Sequence, residues 1–398
     1  MATATNAHRW TLDHPELGTG PVPTKPYISK EYFEREREKI FKHTWLNVGR
    51  VEEIPDPGSY LVKDIPLLNA SILIVRGKDG VVRGFHNVCR HRATKLVWDE
   101  QGCEAKFSCN YHGWTYATEG RLIGVPEEDM FFDLNRREYG LLPIATDVWE
   151  GFIFINRDPH PQDLKEYLGD LVGLLGGYPF GELPVCYQFN ADLKCNWKVI
   201  VDSQQEGYHA KMLHRRSLPG FLTNKEEPSR HALDIQTFGL HRMISYFGNL
   251  ERKPSPIEAL THRFGSSSVT KREFNAENMP PGVNPTRSKK WAFDEYVIFP
   301  TFHVLLFFGM CITHNVWPID VDRAVWEARV YLPEAENVAQ CFSREYGRAL
   351  LRDAWLEDGS TLEASQVGLA SGLIDNFILQ DQELLLRHSS KVVEDYVA

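Results

Sequence analysis

One stretch, Cys89 to His112, limits what this chain can fold into more than any other. It reads CRHRATKLVWDEQGCEAKFSCNYH and holds Cys89-x-His91, then seventeen residues, then Cys109-x-x-His112. Each pair fits in a short loop, so two such loops brought together present two thiolates and two imidazoles. A [2Fe–2S] cluster uses that set with both thiolates on one iron and both imidazoles on the other, which raises its potential above that of an all-cysteine cluster. A tetrahedral Cys2His2 zinc site is the rival. Zinc fingers place Cys with Cys and His with His, the second pair on a helix. Here each pair is mixed, and the second runs on into Gly113-Trp114-Thr115-Tyr116, an aromatic, strand-like run. The pattern therefore favours the cluster.

A chain of 398 residues with 42% hydrophobic content buries a substantial core and divides into two domains. Its formal charge of −10 gives no broad basic surface, which argues against nucleic acid as a partner. No apolar run approaches the roughly 18 residues that a transmembrane helix needs. The N-terminal MATATNAHRWTLDHPELGTG lacks the apolar centre of a signal peptide, so a cytoplasmic location with no membrane partner is expected. Seven cysteines, at 89, 103, 109, 186, 195, 311 and 341, are too few and too scattered for a disulfide framework. The five outside the paired motifs read as ordinary buried thiols.

Along the chain, Ser29 is placed to cap a charged helix through KEYFEREREKIFKHTW, with Phe33, Ile40, Phe41 and Trp45 facing a core. From residue 46 the pattern changes to short β runs between turns: SYLVKDI, SILIVRG, VVRGFHNV, KFSCNYHGWTYA and GFIFINRD. These predict an antiparallel β domain over 46–160 that encloses the paired loops. Residues 1–45 and 161–398 form a second, mixed domain, so the fold class is α+β with an antiparallel sheet flanked by helices. There, CYQFNADLKCNWKVIV reads as strand, 251–290 as an excursion or lid, and VIFPTFHVLLFFGMCITHNVWPI and AVWEARVYLP as long strands. A late helix is expected through LIDNFILQDQELLLRH.

A second metal site is suggested by Glu206, His209 and His214. Two histidines five apart do not share one face of a straight helix, so they converge only at a helix end or distortion. In the expected late helix, Ile374, Phe377, Ile378, Leu384 and Leu385 define an apolar face that also carries Asp381. A buried carboxylate needs a partner, and a metal is a good one. Two histidines and one carboxylate form the facial triad that leaves positions open on non-haem iron.

The segment His86-Asn-Val-Cys-Arg-His-Arg with Cys-Asn-Tyr-His-Gly-Trp-Thr-Tyr resembles the Rieske domain of the ring-hydroxylating oxygenases. Ala93 stands where that family usually has Gly, and Asn110 where Pro is usual. The run NWK…EGYHxxxxH resembles the mononuclear-iron motif of their α subunits, and Gln380-Asp381 the place of the third ligand. The resemblance implies a Rieske cluster on Cys89, His91, Cys109 and His112, and mononuclear Fe(II) on His209, His214 and Asp381. It implies that Glu206, where many relatives carry Asp and carnitine- and betaine-type relatives carry Glu, bridges the two sites. Glu206 would bond His209 on one side and His112 of the partner subunit on the other, carrying electron transfer between them.

The same resemblance implies a terminal oxygenase using O2. The chain carries no GxGxxG fingerprint and no ferredoxin cysteine run, so NAD(P)H would act only through a separate reductase, with or without a ferredoxin. The assembly would be a homotrimer or α3β3, closed by a heterologous ring. Alternation puts Thr301, His303, Leu305 and Phe307 on one strand face. With Met212 and Phe221 near the histidine pair, they suggest an apolar pocket for an aromatic or alicyclic substrate. Lys211, Arg215 and Arg216 read as a solvated cluster. The expected reaction is cis-dihydroxylation or monohydroxylation of a ring. Oxidative O- or N-demethylation, including that of a quaternary ammonium, is the alternative. An electron carrier without oxygenase chemistry would leave the second histidine set unexplained.

Overall fold

The computed structural model describes residues 9–249, 251–265, 279–307 and 309–398. They fall into two compact units, Arg37–Tyr167 on the one hand and Met1–Glu36 with Leu168–Ala398 on the other. The β unit thus begins nine residues before the expected position 46 and ends seven after 160. Antiparallel sheets make up both, and in the larger unit helices flank the sheet, as the sequence pattern suggested.

In the β unit, seven antiparallel strands lie in the order Leu46–Arg50, Phe152–Asn156, Pro143–Trp149, Val82–His86, Ala70–Arg76, Ser59–Ile65 and Gln101–Cys103. Leu46–Arg50 and Phe152–Asn156 are buried along their whole length. A smaller three-stranded sheet is formed by Lys106–Ser108, Thr115–Ala117 and Leu122–Gly124. The first Cys/His loop follows Val82–His86, and the second joins the first two strands of the small sheet. Tyr60, Leu73, Val75, Phe85, Phe107, Trp114 and Tyr116 pack with Cys89 and Cys109 into one core cluster. The loops are therefore anchored at their cysteine ends by hydrophobic burial.

The larger unit is built on seven antiparallel strands, in the order Val185–Leu193, Arg323–Tyr331, Met310–Asp320, Phe302–Phe307, Trp291–Ile298, His241–Phe247 and Ala232–Phe238. The 33-residue helix Val338–Ala370 lays Leu351 and Trp355 on Leu305, Ile312 and Val330 of that sheet. Leu384 and Leu385 of the C-terminal helix Leu384–Val397 pack on Ile235, Ile244 and Tyr246 near the sheet's other edge. Ser29 caps the helix Lys30–Glu36, its hydroxyl accepting the Tyr32 N–H at 3.2 Å. Within this unit that helix delivers Glu36, fully buried, to Lys198 Nζ at 2.5 Å and Trp197 Nε1 at 2.9 Å.

Three expected elements differ. NWKVIV is helical, not strand: Asn196 in an extended conformation caps Trp197–Ser203 by accepting the Lys198 N–H at 3.0 Å. Within the expected 251–290 excursion, Pro256–Gly265 is a helix, and 266–278 lie outside the described residues. The expected late helix forms only from Leu384. Ahead of it Gly372 adopts φ +66°, Asn376 and Phe377 pair with Val22 and Pro23 as strand, and Ile374 and Ile378 are exposed. The apolar face inferred for Asp381 therefore does not exist. Among the described residues, no helix is long and apolar enough to cross a membrane.

Candidate metal centres and substrate cavity

The two loops of the β unit are built alike. Cys89 donates its N–H to Thr94 O and accepts the Ala93 N–H, at 2.8 and 3.1 Å; Cys109 does the same with Trp114 O and the Gly113 N–H, at 2.8 and 2.9 Å. Ala93 and Gly113 both take positive φ, +58° and +75°, to close these turns. Cys89 and Cys109 are buried, and burial pushes the Cys109 thiol up. The two imidazoles lie toward solvent with Nδ1 of His91 and Nδ1 of His112 3.1 Å apart. His91 is fixed by stacking on Trp114, ring centres 5.0 Å apart and planes at 8°. Two thiols inside and two convergent imidazole nitrogens outside fit a cluster with one sulfur-ligated and one histidine-ligated iron. The Tyr116 hydroxyl accepts the Arg90 N–H at 3.0 Å, which leaves its own proton for Cys89 Sγ, 3.4 Å away.

In the larger unit the short helix Ala210–Leu213 explains the five-residue spacing. His209 stands at its N-cap and His214 at its C-cap, so the rings meet across its ends with centres 5.2 Å apart. Their carboxylate partner is Asp358, from the middle of Val338–Ala370. Asp358 Oδ1 lies 3.2 Å from His214 Nε2 and 4.0 Å from His209 Nε2, and the three ligand atoms lie within 4.8 Å of one another. That is the donor set and spacing of a 2-His-1-carboxylate iron site.

Each histidine is held from behind by a further carboxylate. Glu206 Oε1 takes Nδ1 of His209, and its Oε2 accepts the backbone N–H groups of Tyr208 and of His209, the latter at 3.0 Å. Glu357 Oε2 lies 3.1 Å from His214 Nδ1 and accepts the Ser217 hydroxyl at 2.5 Å. Burial raises the Glu206 carboxyl, but the His209 imidazole and the two amides outweigh it and hold it below the usual range. Burial lowers His214, but Asp358 and Glu357 outweigh it and hold its pKa up. Carboxylates on both Nδ1 atoms point both Nε2 atoms at Asp358.

Asp381 is not part of this group. Its Oδ2 accepts the Trp10 N–H at 2.9 Å, and its Oδ1 accepts the Thr11 N–H and hydroxyl at 3.0 and 2.6 Å, capping the short helix Trp10–Asp13. The carboxylate thus already has its partners, which corrects the ligand inferred from the late helix. Asp202 is likewise engaged elsewhere, accepting the Tyr27 hydroxyl at 2.7 Å.

A cavity of about 300 Å³ adjoins the group and is lined by His209, His214 and Asp358, with Phe221, Tyr246, Phe293, Leu305, Phe307, Met310, Trp355, Arg230 and Glu295 in its walls. Leu305 and Phe307 are where the strand alternation placed them. His303 is not in the wall: it is wholly buried, its Nδ1 2.8 Å from Glu295 Oε1. Met212 is 66% exposed and also outside the wall, because the single turn Ala210–Leu213 directs it to solvent. Lys211, Arg215 and Arg216 are exposed. Sequence reasoning missed Asp358 and Glu357. The signal was present in the spacing of Ala354, Asp358, Leu362, Gln366 and Leu369, one buried helix face that carries a carboxylate.

The model of the ring hydroxylating alpha subunit (catalytic domain) matches residues 180–398, and that of the Rieske [2Fe-2S] domain matches 44–138. The chain belongs to the ring-hydroxylating alpha-subunit family, which implies a Rieske cluster and a mononuclear iron. It is similar to the carnitine monooxygenase oxygenase subunit of Acinetobacter pittii, 28% identical over 365 residues, 91% of this chain and 93% of that protein. It is 35% identical over 205 residues to the glycine betaine monooxygenase oxygenase subunit of Chromohalobacter salexigens. That match takes in 52% of this chain but spans less than half, 45%, of the relative's length. The fold matches naphthalene 1,2-dioxygenase from Rhodococcus sp. with a TM-score of 0.76 at 22% identity, over 98% of this chain and 99% of that one.

Proposed function

We propose that the chain is the terminal oxygenase component of a Rieske non-haem iron system, acting on a small, largely apolar organic substrate. The observation that carries this reading is the convergence of His209, His214 and Asp358 on the wall of an aromatic cavity, in a chain that also holds a Cys2His2 cluster set. Iron at the first set would bind and reduce O2, and a cluster at the second would supply electrons one at a time. For a hydroxylation, one O2, two electrons and two protons convert a C–H group to C–OH and release one water. For cis-dihydroxylation both oxygen atoms enter the product and no water is released.

His209, His214 and Asp358 hold the metal, while Glu206 and Glu357 fix the two imidazoles in the tautomer that presents Nε2. Phe293, Phe307 and Trp355 keep water from the substrate face. By family resemblance Glu206 also reaches toward His112 of the partner subunit in a trimer, and electrons come from NAD(P)H through a separate reductase. A second reading, N-dealkylation or hydroxylation of a quaternary ammonium compound, is favoured by the near full-length match to a carnitine monooxygenase subunit and by Glu at position 206.

The test is anaerobic iron analysis with EPR of the reduced protein. About three irons per chain with a Rieske-type signal are expected. Two irons, with no further uptake of Fe(II), would sink the oxygenase reading in favour of an electron carrier. Zinc in a colourless protein would sink it altogether.

A further inference from the structure

Arg230 lines the same cavity as the metal-binding group, and its chemistry is not used by any step above. The residue is 6% exposed. Its backbone sits at φ +51°, a region that an L-residue without a short polar side chain rarely enters. Its guanidinium lies over the Tyr246 ring at 4.2 Å and the Phe293 ring at 5.4 Å. Among the described residues it makes no hydrogen bond and no ion pair, and its Nε is buried without a partner.

Two other buried cations of this unit are satisfied. Lys198 has Glu36, and Arg387 has the carbonyls of Thr19, Gly20 and Leu379. Arg242 is unpaired too, but it does not line the cavity. Burial pulls Arg230 down, yet a guanidinium remains charged at neutral pH. Three carboxylates of the wall, Glu206, Glu295 and Asp358, act on Arg230 electrostatically without forming an ion pair. Glu206 and Asp358 face the His209 and His214 imidazoles, and Glu295 is pushed well up by burial and spends Oε1 on His303. A charge that is buried, left unpaired and held by strained backbone at a cavity wall is what an anionic ligand would complete.

We propose that Arg230 anchors a carboxylate on the substrate, so that this enzyme takes small organic carboxylates. The rest of the molecule lies against Phe293, Phe307 and Trp355 with one carbon presented toward His209, His214 and Asp358. A guanidinium fork suits this task because it meets a carboxylate with two parallel hydrogen bonds. The inference rests on the oxygenase reading and narrows its substrate class. It accommodates both an aromatic acid and a zwitterionic betaine, since each carries the group that Arg230 would hold.

The experiment is calorimetric titration of the iron-loaded, cluster-containing protein under nitrogen. The probes are benzoate, cyclohexanecarboxylate and trimethylglycine, beside benzamide and cyclohexanecarboxamide, which keep the shape and lose the charge. At least one carboxylate is expected to bind ten- to a hundredfold more tightly than any amide. Arg230→Met should remove that preference while leaving amide affinity and the cluster spectrum unchanged, and Arg230→Lys should restore part of it. A residue of purely structural importance would weaken acid and amide alike. If no carboxylate outbinds the amides, or if Arg230→Met leaves carboxylate affinity intact, the anchor is wrong. Tighter binding of benzoate than of trimethylglycine selects the aromatic acid, and the reverse selects the betaine. Failure of the underlying reading would register separately, as a protein that takes up no third iron.

Discussion

A carboxylate drawn out of water needs compensation, and Asp358, which is buried, and Asp381, which is partly so, obtain it in different ways. Asp381 receives two amide protons and a hydroxyl from Trp10 and Thr11, and these hold its pKa down against the opposing effect of burial. Asp358 faces two imidazole nitrogens whose far sides are already committed to Glu206 and Glu357. A pair of substitutions separates the roles. Asp358→Asn is expected to lose the mononuclear iron and all turnover with the cluster absorbance unchanged. Asp381→Asn is expected to keep the iron and to lose about 1 kcal/mol of stability with its helix cap. Iron counts of the two variants, taken after desalting, decide this. An iron-free Asp381→Asn protein that still holds its cluster would return the ligand to the late segment. The histidines were legible because they lie five residues apart. So was Glu206, three residues before His209; Asp358 and Glu357 were not, because Glu357 lies 143 residues from His214, and only the tertiary placement of one helix brings it back.

At the scale of the element, the cluster loops were the most legible part of the chain, since each carries its ligands within a few residues and closes on itself. What the sequence did not reveal is that both loops close through the same pair of backbone hydrogen bonds and need a left-handed residue at the same step. Gly113 meets that need without strain, whereas Ala93 at φ +58° carries a Cβ where none is preferred. Nothing at this position recovers the strain by packing, because Ala93 is exposed. Ala93→Gly is therefore expected to stabilise the loop by about 1 kcal/mol, the relief of strain exceeding the added freedom of the unfolded chain. Loss of the cluster's visible absorbance on heating should occur a few degrees higher in the variant. A lower temperature would mean that the alanine is favoured by a contact the loop geometry does not reveal. Periodicity misled where a helix face was drawn through Ile374 and Ile378, because turn residues and Gly372 break the chain there before periodicity can act.

Across the whole molecule, burial of histidine sets how stability responds to acid. His314 is wholly buried, and burial brings it to about 3; His388, whose Nε2 lies 2.9 Å from Gly239 O, is brought to about 4, burial again the main cause. Both stay neutral in the folded state, whereas in the unfolded chain each titrates near 6.5. Their folded-state values are depressed, so the stability they permit is present above pH 6.5 and is lost as the pH falls toward 4 and 3. For His388 the loss reaches about 2 kcal/mol by pH 5, at about 1.4 kcal/mol per pH unit. Asp294 acts in the opposite sense: burial raises it to about 6, so it favours the folded state below that pH. The net profile therefore mixes signs, and a single term has to be isolated by difference. His388→Gln keeps an N–H donor for Gly239 and removes the titrating ring. Its stability relative to the unsubstituted protein should be near constant from pH 7.5 to 7 and should rise by about 2 kcal/mol at pH 5, read from urea midpoints followed by tryptophan fluorescence. A difference that stays flat down to pH 5 would mean that His388 takes up its proton in the folded protein. The C-terminal helix would then have to open locally to admit the charge.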